Sequence, residues 1–190
     1  MRKVIFQMMV SLDGFVAGPN GESDWHHVDT EFIDYSIELL RSVDTLIFGR
    51  KTYELMAGYW PTVQAKANDP ITADYMNNLK KIVVSKKIEK VEWENSILVN
   101  ENVSEEILKL KQQNGKDIAI LGSSELALSL NQLGLIDEYR IIINPIVLGN
   151  GKSLLQGIHD PFKLEIVETK TFRTGNVLLI GKEKRKTDLA

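Results

Sequence analysis

The chain has 190 residues, 43% hydrophobic and 26% charged, with a formal net charge of −3. This is the profile of one ordinary globular domain large enough to bury its own core. Mild acidity argues against a general electrostatic grip on nucleic acid. The lack of cysteine excludes disulfides, thiolate metal sites and the His/Cys/Cys zinc chemistry of deaminases.

Arg2 and Lys3 precede an apolar stretch that Gln7 interrupts and that soon meets Ser11 and Asp13. It is too short and polar for a signal or membrane segment, so a cytoplasmic protein without membrane partners is expected. Val4 to Val10 reads as a strand covered on both faces, and Asp13-Gly14 with Gly18-Pro19-Asn20-Gly21 as a turn-rich loop after it, free to close on a ligand. From Asp29 to Val43, Phe32, Ile33, Ile37, Leu39, Leu40 and Val43 fit one side of a helix, with Asp29 as its N-cap. Leu46 to Phe48 is a short buried strand. A helix from about Thr52, an irregular segment at Trp60-Pro61 and a short helix after Pro70 lead to the strand Lys81 to Ser85. Ile97 to Val99 is a further strand candidate, followed by a helix with Val103, Ile107 and Leu110 inward. The strand at Ile118 and a helix with Leu126, Ala127, Leu130 and Leu133 come next.

The last third changes character. Tyr139 to Leu148 is an apolar run containing Pro145, which marks an edge, a bulge or a strand end because proline cannot donate to a ladder. Phe162, Leu164 and Ile166 alternate with charged residues, Arg173-Thr174-Gly175-Asn176 signals a turn, and Val177 to Ile180 runs back as an antiparallel hairpin. The expected fold is α/β, a parallel sheet extended by this hairpin, with ligands at the carboxyl ends of the parallel strands. One domain over residues 1–185 with a tail over 186–190 is expected. The apolar strand from Tyr139 and the hairpin offer a surface that either a homodimer or the monomer itself would cover.

Two strands stop at a glycine and open into a helix: Leu46-Ile47-Phe48-Gly49-Arg50-Lys51-Thr52-Tyr53-Glu54 and Ile118-Ala119-Ile120-Leu121-Gly122-Ser123-Ser124-Glu125-Leu126. Glycine lets the backbone turn tightly against a ligand, and a helix start presents unpaired N–H groups and a positive dipole end, so both junctions read as anion sites. Arg50, Lys51 and Thr52 add two cations and a hydroxyl, about what a 2′-phosphorylated dinucleotide uses, which points to NADP rather than NAD. Neither junction has the Rossmann or P-loop spacing, so a different nucleotide fold is implied. Such turns also occur in α/β proteins without any ligand.

The chain resembles the dihydrofolate-reductase-like superfamily, most closely the C-terminal reductase domain of the bifunctional riboflavin-biosynthesis enzyme and its stand-alone bacterial relatives. The matching segments are Ser11-Leu12-Asp13-Gly14-Phe15-Val16-Ala17, Gly21-Glu22-Ser23-Asp24-Trp25, Leu39-Leu40-Arg41, Gly49 to Glu54, and Leu126-Ala127 through Gly134-Leu135-Ile136-Asp137-Glu138 to Pro145-Ile146-Val147-Leu148-Gly149. The resemblance implies a three-layer fold with a central mixed, mostly parallel sheet of about eight strands and helices on both faces. It implies NADPH as cofactor, with phosphates cradled by Gly49, Arg50, Lys51 and Thr52, the 2′-phosphate region at Ser85 and Lys86, and the pyrophosphate and nicotinamide side at Gly122, Ser123, Ser124, Glu125 and Leu126. Val10 and Trp25 take positions that meet the nicotinamide, and Ser23 and Arg41 match substrate-side positions.

The chemistry so implied is hydride transfer to a small heterocycle or carbonyl compound, as in 5-amino-6-(5-phosphoribosylamino)uracil reductase, with a carboxyl group as proton donor. Asp13 and Asp29 are the candidates, with Asp34 a third; their ordinary roles would be an Asp-Gly turn, a helix cap and a solvated face. Leu121 stands where the riboflavin reductases commonly carry glutamate, and no arginine follows Asn68-Asp69-Pro70-Ile71-Thr72, which puts the ribosyl-phosphate substrate in question. Gly122-Ser123 replaces the glycine pair of dihydrofolate reductases. A dihydrofolate or pterin reductase, a non-catalytic NADP-binding protein and an interaction domain that keeps only the fold are the alternatives. His26, His27 and His159 lack metal-ligand spacing, so no metal is expected; no G-x-S-x-G elbow surrounds Ser123-Ser124, and the charges from Lys182 to Lys186 read as a solvated strand end.

Overall fold

The computed structural model describes residues 1–154, 156–158 and 161–184; His159 and the tail from Arg185 lie outside them. An eight-stranded sheet is built from β1 (Val4–Ser11), β3 (Val43–Gly49), β4 (Lys80–Val84), β5 (Ser96–Val99), β6 (Asp117–Leu121), β7 (Glu138–Asn144), β9 (Leu164–Thr171) and β10 (Val177–Glu183). Their spatial order is β5-β4-β3-β6-β1-β7-β10-β9. From β5 to β7 all pairings are parallel, and the two pairings of β10, with β7 and β9, are antiparallel. The mixed sheet with a C-terminal hairpin is therefore as the sequence predicts. A second, two-stranded sheet pairs β2 (Phe15–Ala17) with β8 (Lys152–Ser153), both too short for a periodicity to show.

Alternation along the strands divides the core between two faces. On one face Val4, Phe6, Met8 and Val10 of β1, with Ile118 and Ile120 of β6, pack against α5 (Val103–Gln112) and α6 (Ser124–Gln132) through Ile107, Leu110, Leu126 and Leu130. On the other, Ile5, Leu46, Phe48 and Val83 meet α1 (Thr30–Ser42), α2 (Arg50–Tyr59) and α4 (Pro70–Asn78) through Leu39, Leu40, Tyr53 and Met76. These are the three layers expected of the fold. Farther along that second face, Phe32 and Tyr35 of α1 pack on Ile142, Phe172, Leu178 and Ile180.

Several boundaries differ from the sequence reading. The helix after Gly49 starts at Arg50, two residues early, because Gly49 itself is the N-cap. A short helix, α3 (Val63–Asn68), follows Thr62, whose hydroxyl accepts the Ala65 N–H; only Ala65 is buried there, so no apolar stripe announces it. β7 ends at Asn144, just before Pro145, and lies between β1 and β10, so it presents no edge. The edge strands are β5 and, on the hairpin side, β9, where Val167 bulges out between the pairs Ile180 with Glu168 and Gly181 with Ile166. A bulge flanked by charged side chains blunts such an edge.

Candidate functional site

The carboxyl ends of β1, β3, β4 and β6 lie side by side along one edge of the sheet, because these strands are parallel and in register. The two glycine junctions thereby become one structure. Ser123 Oγ accepts the Gly49 N–H at 2.8 Å and donates to Thr52 Oγ1 at 2.8 Å. A methyl group on Gly49 would meet Ser123 Oγ at 3.2 Å, and one on Gly122 would meet Thr52 Cγ2 at 3.3 Å. Gly122 and Ser123 both have left-handed backbones, φ +70° and +60°. Close approach and conformation together explain glycine at 122, whereas Ser123 accepts backbone strain to make its two hydrogen bonds.

Gly49 caps α2 and Ser123 caps α6, and neither side chain bonds to its own helix's first turn. Two positive helix ends therefore open onto the same edge. Around them stand Arg50, which makes a double contact with Glu54 at 2.8 and 3.0 Å, and the exposed Lys51. Ser85 is buried and its Oγ accepts the Lys87 N–H at 3.0 Å, a turn that leaves Lys86 and Lys87 exposed. Glu125 Oε1 accepts from Lys152 Nζ at 2.9 Å, and Lys152, with weaker contributions from Lys51 and Lys87, holds the Glu125 carboxyl below its ordinary range. Ser124 is buried, and Leu126 belongs to the core beneath the junction, so its side chain supports the site rather than lining it.

At the end of β1, the Val10 carbonyl accepts from Asn144 Nδ2 at 3.2 Å, while Asn144 Oδ1 accepts the His27 N–H at 3.1 Å. Asn144 is wholly buried and fastens the loop before α1 to β1, with Asn176 Nδ2 donating to the His27 carbonyl at 2.8 Å. Sequence reasoning missed Asn144; the sole hint was an asparagine closing an apolar run next to Pro145. Trp25 in that loop is half-buried, edge-on to His26 at 4.4 Å, and its indole N–H donates to the Glu22 carbonyl at 3.1 Å. Ser23 is exposed in the same loop. Burial lowers the His26 pKa, so its ring is neutral at physiological pH.

The candidate carboxylates are both engaged. Asp13 accepts the Ser11 hydroxyl at 2.7 Å, the Leu148 N–H at 3.1 Å and the Gly149 N–H at 2.7 Å, with the Ser11 bond chiefly lowering its pKa. It clamps the chain after β7 to the end of β1 as an ionised group, which is poorly suited to donate a proton. Asp29 caps α1 by accepting the Phe32 N–H at 2.9 Å. Asp34 is exposed on α1. Arg41 does not reach this edge. It sits in the last turn of α1, about 20 Å along the helix from Asp29, where its Nε donates to the Tyr75 hydroxyl at 3.4 Å and its carbonyl accepts from Lys116 Nζ at 2.9 Å. Lys116 immediately precedes β6, so Arg41 belongs to the amino-end edge of the sheet.

A recess of about 700 Å³ lies behind α2, lined by Tyr53, Lys66, Trp93 and Glu94 among others. Its aromatic polar groups are already committed, Tyr53 Oη to the Glu92 and Trp93 N–H groups at 3.0 Å each and the Trp93 indole to Asn77 Oδ1 at 2.8 Å. The basic edge therefore remains the better candidate. Among the described residues no group of histidine and carboxylate side chains is placed to hold a metal, and no helix is long and apolar enough to cross a membrane.

Residues 2–178 match the RibD C-terminal domain family. The chain belongs to it. The uncharacterized Bacillus subtilis (strain 168) protein YyaP is 37% identical to this RibD C-terminal chain over 185 residues, 94% of each. Among solved structures, a putative riboflavin biosynthesis protein from Shewanella sp. PV-4 superposes with a TM-score of 0.75 at 22% identity, covering 96% of this chain and 99% of that one. The Thermotoga maritima diaminohydroxyphosphoribosylaminopyrimidine deaminase/5-amino-6-(5-phosphoribosylamino)uracil reductase gives 0.70 at 16%, with 96% of this chain matching 57% of that one. A dihydrofolate reductase from Enterococcus faecalis complexed with NADP(H) gives 0.63 at 15%, covering 96% and 97%. These likenesses establish a dihydrofolate-reductase-like fold.

Proposed function

We propose that the protein is an NADPH-dependent reductase of the riboflavin-pathway type, acting on a small heterocyclic or carbonyl substrate. The observation that carries this reading is the Ser123 bridge, which joins two helix starts, free of side-chain caps, into one edge with cationic side chains around it. Membership of the RibD C-terminal family and the fold shared with an NADP(H)-bound reductase support it. Two close-packed glycine positions, two positive helix ends and a lysine-rich rim form a donor set suited to a phosphorylated dinucleotide. Arg50 and Lys51, with Lys86 beside Ser85, would hold the 2′-phosphate, and the α6 start would hold the diphosphate. When bound, the cofactor supplies a hydride to a C=N or C=O carbon, and a proton completes reduction at the heteroatom.

The engagement of Asp13 and Asp29 favours a second reading, a protein that binds NADPH without turning it over. Titration with NADPH and NADH, followed by nicotinamide fluorescence and thermal shift, tests the cofactor. Loss of NADPH absorbance with pyrimidine, pterin or carbonyl acceptors then separates the two readings. Binding of neither dinucleotide would refute both.

A further inference from the structure

Lys152 comes from β8, the short strand whose pairing is with β2, yet its ammonium group reaches the first turn of α6 at the candidate edge. There it donates to Glu125, whose carboxylate also stands in the field of Lys51 from α2 and Lys87 from the chain after β4. Of these cations only Lys152 contacts the carboxylate directly. Both members of the pair are partly open to water, Lys152 at 38% and Glu125 at 78% side-chain exposure. Exposed pairs of this kind contribute little to stability, so the pair is poorly explained as a brace for the fold. It is well suited to exchanging partners.

We propose that Lys152 is a ligand for the diphosphate of the dinucleotide, with Glu125 serving as the internal anion that holds the lysine at the start of α6 until the cofactor arrives. This rests on the NADPH reading above. A diphosphate carries two negative charges where Glu125 carries one, and a lysine bond to phosphate is charge-assisted in the same way as the bond it replaces. The arm that carries Lys152 is fixed nearby, since Asp13 clamps Leu148 and Gly149 to the end of β1 and Leu154 N–H donates to the Gly14 carbonyl at 3.0 Å. The ammonium group is therefore delivered to the start of α6 by a constrained strand rather than a free loop.

The diphosphate is common to both dinucleotides, so Lys152→Met should weaken NADPH and NADH by the same factor, about tenfold, as expected for one lost charge-assisted contact. Glu125→Gln frees the lysine and removes a competing anion, so it should tighten both, by about threefold. Lys152→Arg should retain most of the affinity. All four proteins, wild type included, are titrated as full chains at low and high salt, with melting curves confirming the fold. If Lys152→Met and Glu125→Gln both weaken binding, the pair is only a latch and the proposal fails. It fails equally if Lys152→Met changes NADPH alone or changes neither. Should the wild type bind neither dinucleotide, the NADPH reading is itself wrong; wild-type binding with unresponsive variants refutes Lys152 alone.

Discussion

Replacing Ser123 with alanine removes both bonds that tie the two glycine junctions together while leaving the left-handed backbone in place. Each of the two lost bonds costs about 1 kcal/mol net, about 2 kcal/mol in all. In a chain of this size each kcal/mol moves the melting temperature by about 2–4 °C, so a fall of about 4–8 °C is expected. Ser123→Gly loses the same bonds but relieves a left-handed cost of about 1 kcal/mol, and should melt above Ser123→Ala. Both variants should bind NADPH more weakly, since the helix ends are no longer held together. Thermal denaturation and urea unfolding of the three proteins measure the order. A Ser123→Ala protein as stable as the wild type, or a glycine variant below the alanine variant, would overturn this account of the junction.

Arg50→Ala combined with Lys51→Ala should weaken NADPH at least tenfold more than NADH; a melting temperature that falls while affinity is unchanged would contradict the phosphate role. Lys81 is buried, donates to the Met76, Asn77 and Leu79 carbonyls at 2.8–2.9 Å and lies 4.5 Å over the Trp93 ring, and burial pushes its pKa down to about 8. The unfolded chain then holds more protons between about 8 and 10.5, so the cost of the buried charge is full below 8 and fades as pH rises. Wild type should gain stability relative to Lys81→Met between pH 7.5 and 9.5 in urea titrations, and a constant difference would refute the shift. Asp13→Asn should loosen the segment at Leu148 and Gly149, seen as faster amide exchange there. The native pKa of Asp13 is lowered, so its contribution to wild-type stability is complete above the ordinary carboxylate pKa and disappears as pH falls through the lowered value. The asparagine variant should lack that acid-limb loss.

Legibility followed range. β1, the glycine junctions and the N-cap role of Asp29 could be read because their causes lie within a few residues: a continuous apolar run, a glycine before a cationic helix start, an aspartate three residues ahead of Phe32. What the sequence hid is made by pairing at a distance. Asp13 reads locally as an Asp-Gly turn, whereas its partners at Leu148 and Gly149 are fixed only when β7 lies beside β1. Lys152 meets Glu125 across a gap of 27 residues with two strand residues as its only local structure. Arg41 failed for the opposite reason: it lies on the expected helix, but at the far end, and the length of that helix carries it to the other side of the sheet.

The place of β6 has a consequence for biosynthesis. β1 and β3 are not neighbours; the chain lays them down with a vacant lane between, and β6 fills it only after residue 117. In a nascent chain holding β1 to β5, only β3, β4 and β5 can pair in the main sheet, β1 stands without either neighbour, β6 or β7, and the centre of the sheet is open. Closing it requires contacts between segments more than a hundred residues apart, the kind of long loop closure that makes folding slow. Truncation before β6 should yield an aggregation-prone fragment rather than a smaller working protein.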